Sequence, residues 1–442
     1  MSQMFVRRGA CATARATAYA AARVTAHATA RAAAYATALV GCALLLFASG
    51  CGGGGTTVAA GTGSGSTPPA AAGNVVSVVV DDGPTAATGV VNTPYVSVTI
   101  CVHGTATCQT IDHITVDTGS TGLRIVSSVL SASVATGLAQ VTDTQGRPLV
   151  ECLQFADGYS WGPVKLADAQ IGGEQASNIA VELIGDASFP TVPADCSGSG
   201  PEEDTVAEFG ANGILGIGVF KQDCGPGCAT TAFPGMYYGC STSGCVSTTV
   251  AVASQVSNPV FLFPSDNNGS ILELPAVGAT GAATLTGSLV FGIDTESNNA
   301  LGTAAVLTVS PDTGLFSANF SNQSLSDSIV DSGSNGYFFT DGTTTVCTSK
   351  VASDFYCPAS TQSLNATIVS ATGITSNVTL SVANADSLFN GNPTFAAFSN
   401  LGGTNPDSSS FDFGLPFFMG RHVYTAIESQ NTSAGPGPYI GF

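Results

Sequence analysis

Ile114-Thr115-Val116-Asp117-Thr118-Gly119-Ser120-Thr121-Gly122 is the stretch that decides the fold, because the chain repeats its pattern once in its second half. The second copy reads Ser328-Ile329-Val330-Asp331-Ser332-Gly333-Ser334-Asn335-Gly336. In each, a short β-branched run ends on a carboxylate, followed by a small hydroxyl residue, a glycine and another hydroxyl. The run places Asp at the tip of a buried strand, and the glycine permits a tight turn beyond it. The hydroxyls can hold the carboxylate or the turn backbone by hydrogen bonds. One such match is commonly an ordinary Asx or ST turn. Two copies in separate halves point instead to a pair of carboxylates brought face to face. Such a pair keeps one proton between its members, because like charges a few ångströms apart ionise together only at high cost. One member then serves as a base toward water and the other as an acid toward a substrate carbonyl.

The two loops resemble those of the pepsin-like aspartic peptidases, in which each of two lobes donates one Asp-Thr/Ser-Gly loop. The resemblance implies an all-β, two-lobed fold and an endopeptidase whose dyad is Asp117 and Asp331, acting through an activated water. Thr118, Gly119, Ser120, Ser332, Gly333 and Ser334 would support the loops, with Ser120 and Ser334 orienting the carboxylates. No metal or organic cofactor is implied; the partner is a peptide or protein substrate, and the chain is expected to be a monomer. Further motifs follow in the family's order. Tyr95-Val-Ser-Val-Thr-Ile-Cys101 alternates like a half-buried strand ahead of the first loop. Cys152 to Pro163, running into Val164 to Gly173, reads as a hairpin resembling the flap that closes over substrate. Phe155, Asp157, Gly158 and Tyr159 would stand at its tip beside a pocket shared with Arg124. Gly213-Ile214-Leu215-Gly216-Ile217-Gly218 resembles the hydrophobic-hydrophobic-Gly strand that threads behind the first loop, and Phe411-Asp412-Phe413-Gly414 stands where the second is expected.

Three departures accompany the likeness. Arg124 falls where the family usually has Trp, and Phe155 where it has the flap tyrosine. A cation near the dyad would lower its pKa values, so Arg124 implies an acidic optimum. Asp412 puts a charge where an aliphatic residue is usual. These departures support a rival reading, a catalytically inactive pepsin-fold lipoprotein that holds a peptide or glycan in its cleft; two intact aspartates support the enzyme. The resemblance is closest to an exported bacterial family of uncharacterised function. His103, His113 and His422 are too scattered to suggest a metal site or a Ser/His/Asp set.

The rest of the chain concerns where the protein works. Its 442 residues are 44% hydrophobic and only 9% charged, with a formal net charge of −19. Five of the basic residues precede position 51 and no acidic residue does, so the remainder is strongly acidic, which argues against nucleic-acid binding. The basic start, the uncharged run over 32–50 and small residues before a boundary read as an export signal, 1–50. Ala48-Ser49-Gly50-Cys51 resembles a bacterial lipobox with Cys51 as the lipid-bearing residue; a plain transmembrane anchor or ordinary signal cleavage are the alternatives. A flexible Gly/Ser/Thr/Ala tether follows over 51–84, its Gly-rich part having a coil span of about 25 Å. Gly52 after the cysteine favours, by resemblance, the outer membrane over the inner. The lobes are expected at 85–266 and 267–442. Of thirteen cysteines, ten remain beyond Cys51, an even number that reads as disulfides in an exported chain. Four pairs are close in sequence, Cys101/Cys108, Cys224/Cys228, Cys240/Cys245 and Cys347/Cys357, which leaves Cys152 with Cys196. A zinc site at Cys224, Cys228, Cys240 and Cys245 is disfavoured, because it needs reduced thiolates.

Overall fold

The computed structural model describes residues 73–156 and 158–442. The export signal, the Gly-rich part of the tether, Cys51 and Asp157 lie outside the described residues.

The first part of the chain runs through strands β1 (Val75–Val80), β2 (Pro94–Cys101), β3 (Cys108–Asp117), β4 (Thr121–Val126), β5 (Ala139–Gln140), β6 (Leu149–Gln154), β7 (Tyr159–Ile171), β8 (Glu174–Ile184) and β9 (Gly213–Ile217). β10 (Tyr237–Ser241) and β11 (Gly244–Ser247) form a hairpin against β6. β2 alternates as expected of a half-buried strand: Val96, Val98 and Ile100 turn inward while Ser97 faces solvent. β4 and β9 are buried along their whole length, because parallel pairing of β3 with β9 and of β4 with β8 places them inside the sheet. β9, Gly213-Ile214-Leu215-Gly216-Ile217, has the unbroken apolar and glycine sequence such a strand requires, whereas β4 carries the buried Arg124.

The second part supplies β12 (Gly269–Leu274), β13 (Leu285–Phe291), β14 (Val306–Thr308), β15 (Phe316–Phe320), β16 (Gln323–Val330), β17 (Tyr337–Phe339), β18 (Gln362–Val369), β19 (Thr375–Val382), β20 (Gly402–Thr404), β21 (Asp412–Phe413) and β22 (Arg421–Ala426). A seven-stranded sheet in the order β19-β18-β15-β16-β21-β17-β20 forms the second lobe. Phe320, Phe339, Phe411 and Phe413 stack through its core. Between the lobes, β1 pairs antiparallel with β13, and the order continues through β12 and β22 to the closing strand Tyr439–Gly441. The beginning and end of the folded chain thus meet in one sheet. The architecture is all-β and two-lobed, with one Asp loop in each lobe.

β1 corrects the expected extent of the tether, which on sequence reaches residue 84. Val75-Val76-Ser77-Val78-Val79-Val80 is a β-branched run, and burying Val78 and Val80 outweighs any preference for coil. The five disulfides pair as expected: Cys101–Cys108, Cys152–Cys196, Cys224–Cys228, Cys240–Cys245 and Cys347–Cys357. The cysteines weighed as zinc ligands are all used in these bridges. No helix among the described residues is long and apolar enough to cross a membrane.

Candidate active site

Each aspartate stands where a strand gives way to its turn. Asp117 ends β3 opposite Gly216 of β9 in a parallel ladder. Asp331 follows β16, and its N–H donates to the Phe413 carbonyl at 3.1 Å. Glycine is needed behind both loops. A Cβ on Gly216 would lie 2.7 Å from Ser120 Oγ and from Thr121 N, and one on Gly414 would collide with the Gly336 and Ser334 carbonyls.

The two loops are locked together by a reciprocal set of four hydrogen bonds. Thr118 N donates to Ser332 Oγ and Ser332 N to Thr118 Oγ1, both at 3.0 Å. The same hydroxyls donate onward across the junction, Ser332 Oγ to the Val116 carbonyl at 2.7 Å and Thr118 Oγ1 to the Val330 carbonyl at 3.2 Å. At about 1 kcal/mol net apiece, the set stabilises this one relation of the lobes by roughly 4 kcal/mol.

Both carboxylates are fully buried. Oδ1 of Asp117 accepts from Gly119 N at 2.7 Å, and Oδ1 of Asp331 from Gly333 N at 2.8 Å. Oδ2 of each has no hydrogen-bond partner among the described residues. The two carboxyls are near enough for the charge of Asp117 to act on Asp331. Burial pushes the Asp331 carboxyl well above the usual carboxylate range, and the charges of Asp117 and then Asp412 push it further, against a contact from Ser334 that draws it down. The pair therefore holds on to a proton above the usual carboxylate range.

The serines do not play the matched roles expected of them. Ser120 Oγ has no partner among the described residues. Ser334 Oγ donates to Asp412 Oδ2 at 2.5 Å while also touching Asp331. The lobe-one counterpart of Asp412 is apolar Ile214, so Ser120 finds no comparable acceptor behind it.

Arg124 requires a larger correction. Its expected place is the substrate pocket, beside the dyad. Its guanidinium is instead closed inside lobe one: Nη2 lies 2.7 Å from Glu151 Oε1 and 3.4 Å from Asp223 Oδ2, and Nε lies 3.1 Å from Glu182 Oε2. Nη1 donates to the Thr121 carbonyl at 2.9 Å. A guanidinium stays charged when buried, so it takes its place where carboxylates converge. Burial and then Glu151 raise Glu182 and Asp223 well above their usual range. Glu151 is held down by Arg124 against the upward push of burial. The charges that act on Asp331 are Asp117 and Asp412, so the acidic optimum argued from Arg124 loses its basis.

β6 and β7 form the expected hairpin, but the residues at its tip are not gathered around one pocket. Phe155 packs on Phe209, ring centroids 5.8 Å apart, in a cluster with Val90, Tyr95 and Val126. Tyr159 packs in a different cluster with Trp161, Tyr238 and the Cys152–Cys196 bridge. Gly158 lies against Glu203, and Tyr159 exchanges backbone hydrogen bonds with Pro201 and Glu203, so a strap over 201–203 runs along the hairpin tip. A pocket beside the loops is lined by Thr118, Gly119, Phe220, Ile329, Thr425 and Ile440; neither Asp117 nor Asp331 lines it. Cys347, Cys357 and Asp386 come together, but both sulfurs belong to a disulfide and offer no thiolate to a metal.

Two residues near the site give no sign of their role in the sequence. Asn92, in the loop before β2, is fully buried and crosses to the second lobe. Its Nδ2 donates to the Asn335 and Phe398 carbonyls, both at 2.8 Å, and its Oδ1 accepts from Phe398 N at 2.7 Å. Its φ of 53° is one that asparagine tolerates better than most residues. Asn335, four residues after Asp331, reads on sequence only as part of the loop. A lone Asn in a connecting segment carries no signal of what it will touch.

A family model described as "Protein of unknown function (DUF3443)" matches residues 70–442. No curated protein matches the chain. Among solved structures, an aspartic proteinase from Irpex lacteus is similar over 83% of this chain and 96% of its own, with 14% sequence identity and a TM-score of 0.46.

Proposed function

The chain belongs to the DUF3443 family of proteins of unknown function, and we propose that it is an aspartic-type endopeptidase working through Asp117 and Asp331. The observation that carries this reading is the dyad: two buried, electrostatically coupled carboxyls, Oδ1 of each clamped by a backbone N–H and Oδ2 of each without a partner among the described residues. A water between the Oδ2 atoms would lose a proton to Asp117 as its oxygen attacks the peptide carbonyl, while the proton of Asp331 passes to the carbonyl oxygen. The resulting diol collapses when the nitrogen is protonated and the C–N bond breaks, leaving a carboxylic acid and an amine. This needs the pair singly ionised, so the pH–rate profile is bell-shaped and belongs to the pair.

The test is cleavage of a diverse peptide library by the purified, oxidised protein from pH 3 to 8, with binding of a statine-type transition-state mimic as a second readout. Cleavage blocked by the mimic supports the reading. A folded protein that neither cleaves nor binds the mimic overturns it. The alternative, a pepsin-fold protein that holds a peptide or glycan without cleaving it, is favoured by one observation: both carboxylates are fully buried. We further propose that the protein is exported and lipid-anchored through Cys51, facing the cell envelope. The lipobox-like boundary supports this, and so do five disulfides, which persist in oxidising compartments. Intact-mass measurement of the membrane fraction should find a chain beginning at acylated Cys51; a soluble chain beginning elsewhere overturns it.

A further inference from the structure

We propose that Asp412 is a third carboxylate of the site, a positioning residue whose charge, set behind the second loop and tied to Ser334, holds the shared proton on Asp331 and leaves Asp117 as the base. This rests on reading Asp117 and Asp331 as a working pair, and it adds what makes the two members unequal.

The two loops are built alike down to their clamping N–H groups, so the asymmetry must come from what stands behind them. Register identifies it. In lobe one, β3 and β9 pair Thr115 with Ile214 and Val116 with Leu215; in lobe two, β16 and β21 pair Ile329 with Asp412 and Val330 with Phe413. Asp412 thus occupies the place of Ile214. It is buried between β16 and β17 on a strand flanked by Phe411 and Phe413. A carboxyl is costly to keep there, since desolvation disfavours its charged form.

What it touches links it to the dyad. Ser334 Oγ donates to Asp412 Oδ2 at 2.5 Å, and the same hydroxyl contacts Asp331. The chain Asp412–Ser334–Asp331 has no counterpart in lobe one, where Ile214 offers no acceptor. Asp117 acts on Asp331 from the first loop and Asp412 acts on it from β21. A negative Asp412 therefore adds to the charge that opposes ionisation of Asp331. With the proton held on Asp331, the acid that faces the carbonyl and the base that faces water are assigned before substrate arrives. The pair also stays singly ionised to higher pH than two isolated carboxyls would, so the charge at 412 carries the active window upward.

The experiment follows the carboxyl carbons of aspartate by ¹³C NMR during a pH titration of the purified, disulfide-bonded protein, in the wild type, Asp412→Asn and Asp412→Ile, alongside the pH dependence of kcat/KM. Asn keeps the shape and an acceptor for Ser334 while removing the charge; Ile restores the lobe-one residue. The upper titration step of the pair should fall by a pH unit or more in both variants, and the basic limb of kcat/KM should fall with it while the acidic limb holds. A purely structural role would lower the rate equally at every pH and leave the step in place, and that outcome overturns the proposal. If the wild type cleaves nothing, the peptidase reading fails, but the NMR step still decides for or against Asp412. If both variants fail to fold, the wild-type curves decide. Asp412 ionised below the upper step of the pair, with a matching inflection at Asp331, supports the proposal; Asp412 protonated throughout overturns it.

Discussion

At the scale of single residues, the dyad places function and stability in opposition. A carboxyl whose folded pKa is raised contributes stability that is fully present below its unfolded value, about 3.9 for Asp, and is lost as pH rises through the folded value. Asp331 is such a group. Asp331→Asn should therefore abolish cleavage while raising thermal stability at pH 7 and leaving it nearly unchanged at pH 3. The gain is about 1.4 kcal/mol for every pH unit by which folding raises the carboxyl. Melting curves at the two pH values check this. The Arg124 cluster follows the same logic with mixed signs. Glu182 and Asp223 are raised, so their contribution falls with rising pH; Glu151 is lowered, so its contribution is lost as pH falls. Glu182→Gln should leave stability unaltered at pH 4 and increase it at pH 8. Arg124→Met, which strands the acids without their cation, should cost about 3–5 kcal/mol in denaturant unfolding at neutral pH.

At the scale of elements, the loop junction and the hairpins are separable devices. Thr118→Val removes the hydroxyl that accepts from Ser332 N and donates to the Val330 carbonyl. The cost should be about 2 kcal/mol, with activity lost, whereas Thr118→Ser should retain most of both; urea unfolding and peptide cleavage measure the pair. The disulfides differ in what they constrain. Cys152–Cys196 closes 44 residues and ties the hairpin to the segment leading into the strap, whereas Cys224–Cys228 closes only 4. On chain entropy, replacing both members of the first by Ala should cost about 4 kcal/mol and of the second about 2. Denaturant midpoints of the two double variants would reveal any reversal of that order.

For the whole molecule, the lobes are joined by the interlobe sheet, by the reciprocal lock under the dyad, and by Asn92. This last residue is set by neither loop nor strand pattern, yet its side chain makes three hydrogen bonds to the opposite lobe. Asn92→Ala should destabilise the protein by about 2–4 kcal/mol, since it removes those bonds and leaves buried partners unsatisfied. It should also increase hydrogen exchange at the Phe398 amide, which a purely local defect in lobe one would not affect.

What was legible in the sequence is what short-range pattern can carry. β-branched runs that end on Asp-Thr-Gly and Asp-Ser-Gly, glycine strands that must pass close behind them, and an even set of closely spaced cysteines each state their own local structure. Together they determined the all-β two-lobed fold, the placement of Asp117 and Asp331 at strand tips and the five bridges. The tertiary structure alone decided which side chains meet across distance. Arg124 reads as facing the dyad because its loop does, yet three acids from separate parts of lobe one hold it elsewhere. Asp412 reads as a flaw in a strand until the fold puts Ser334 between it and Asp331. The reason is physical: burial makes a charged group depend on whichever partners the topology delivers, and those partners lie tens to hundreds of residues away, where no periodicity links them.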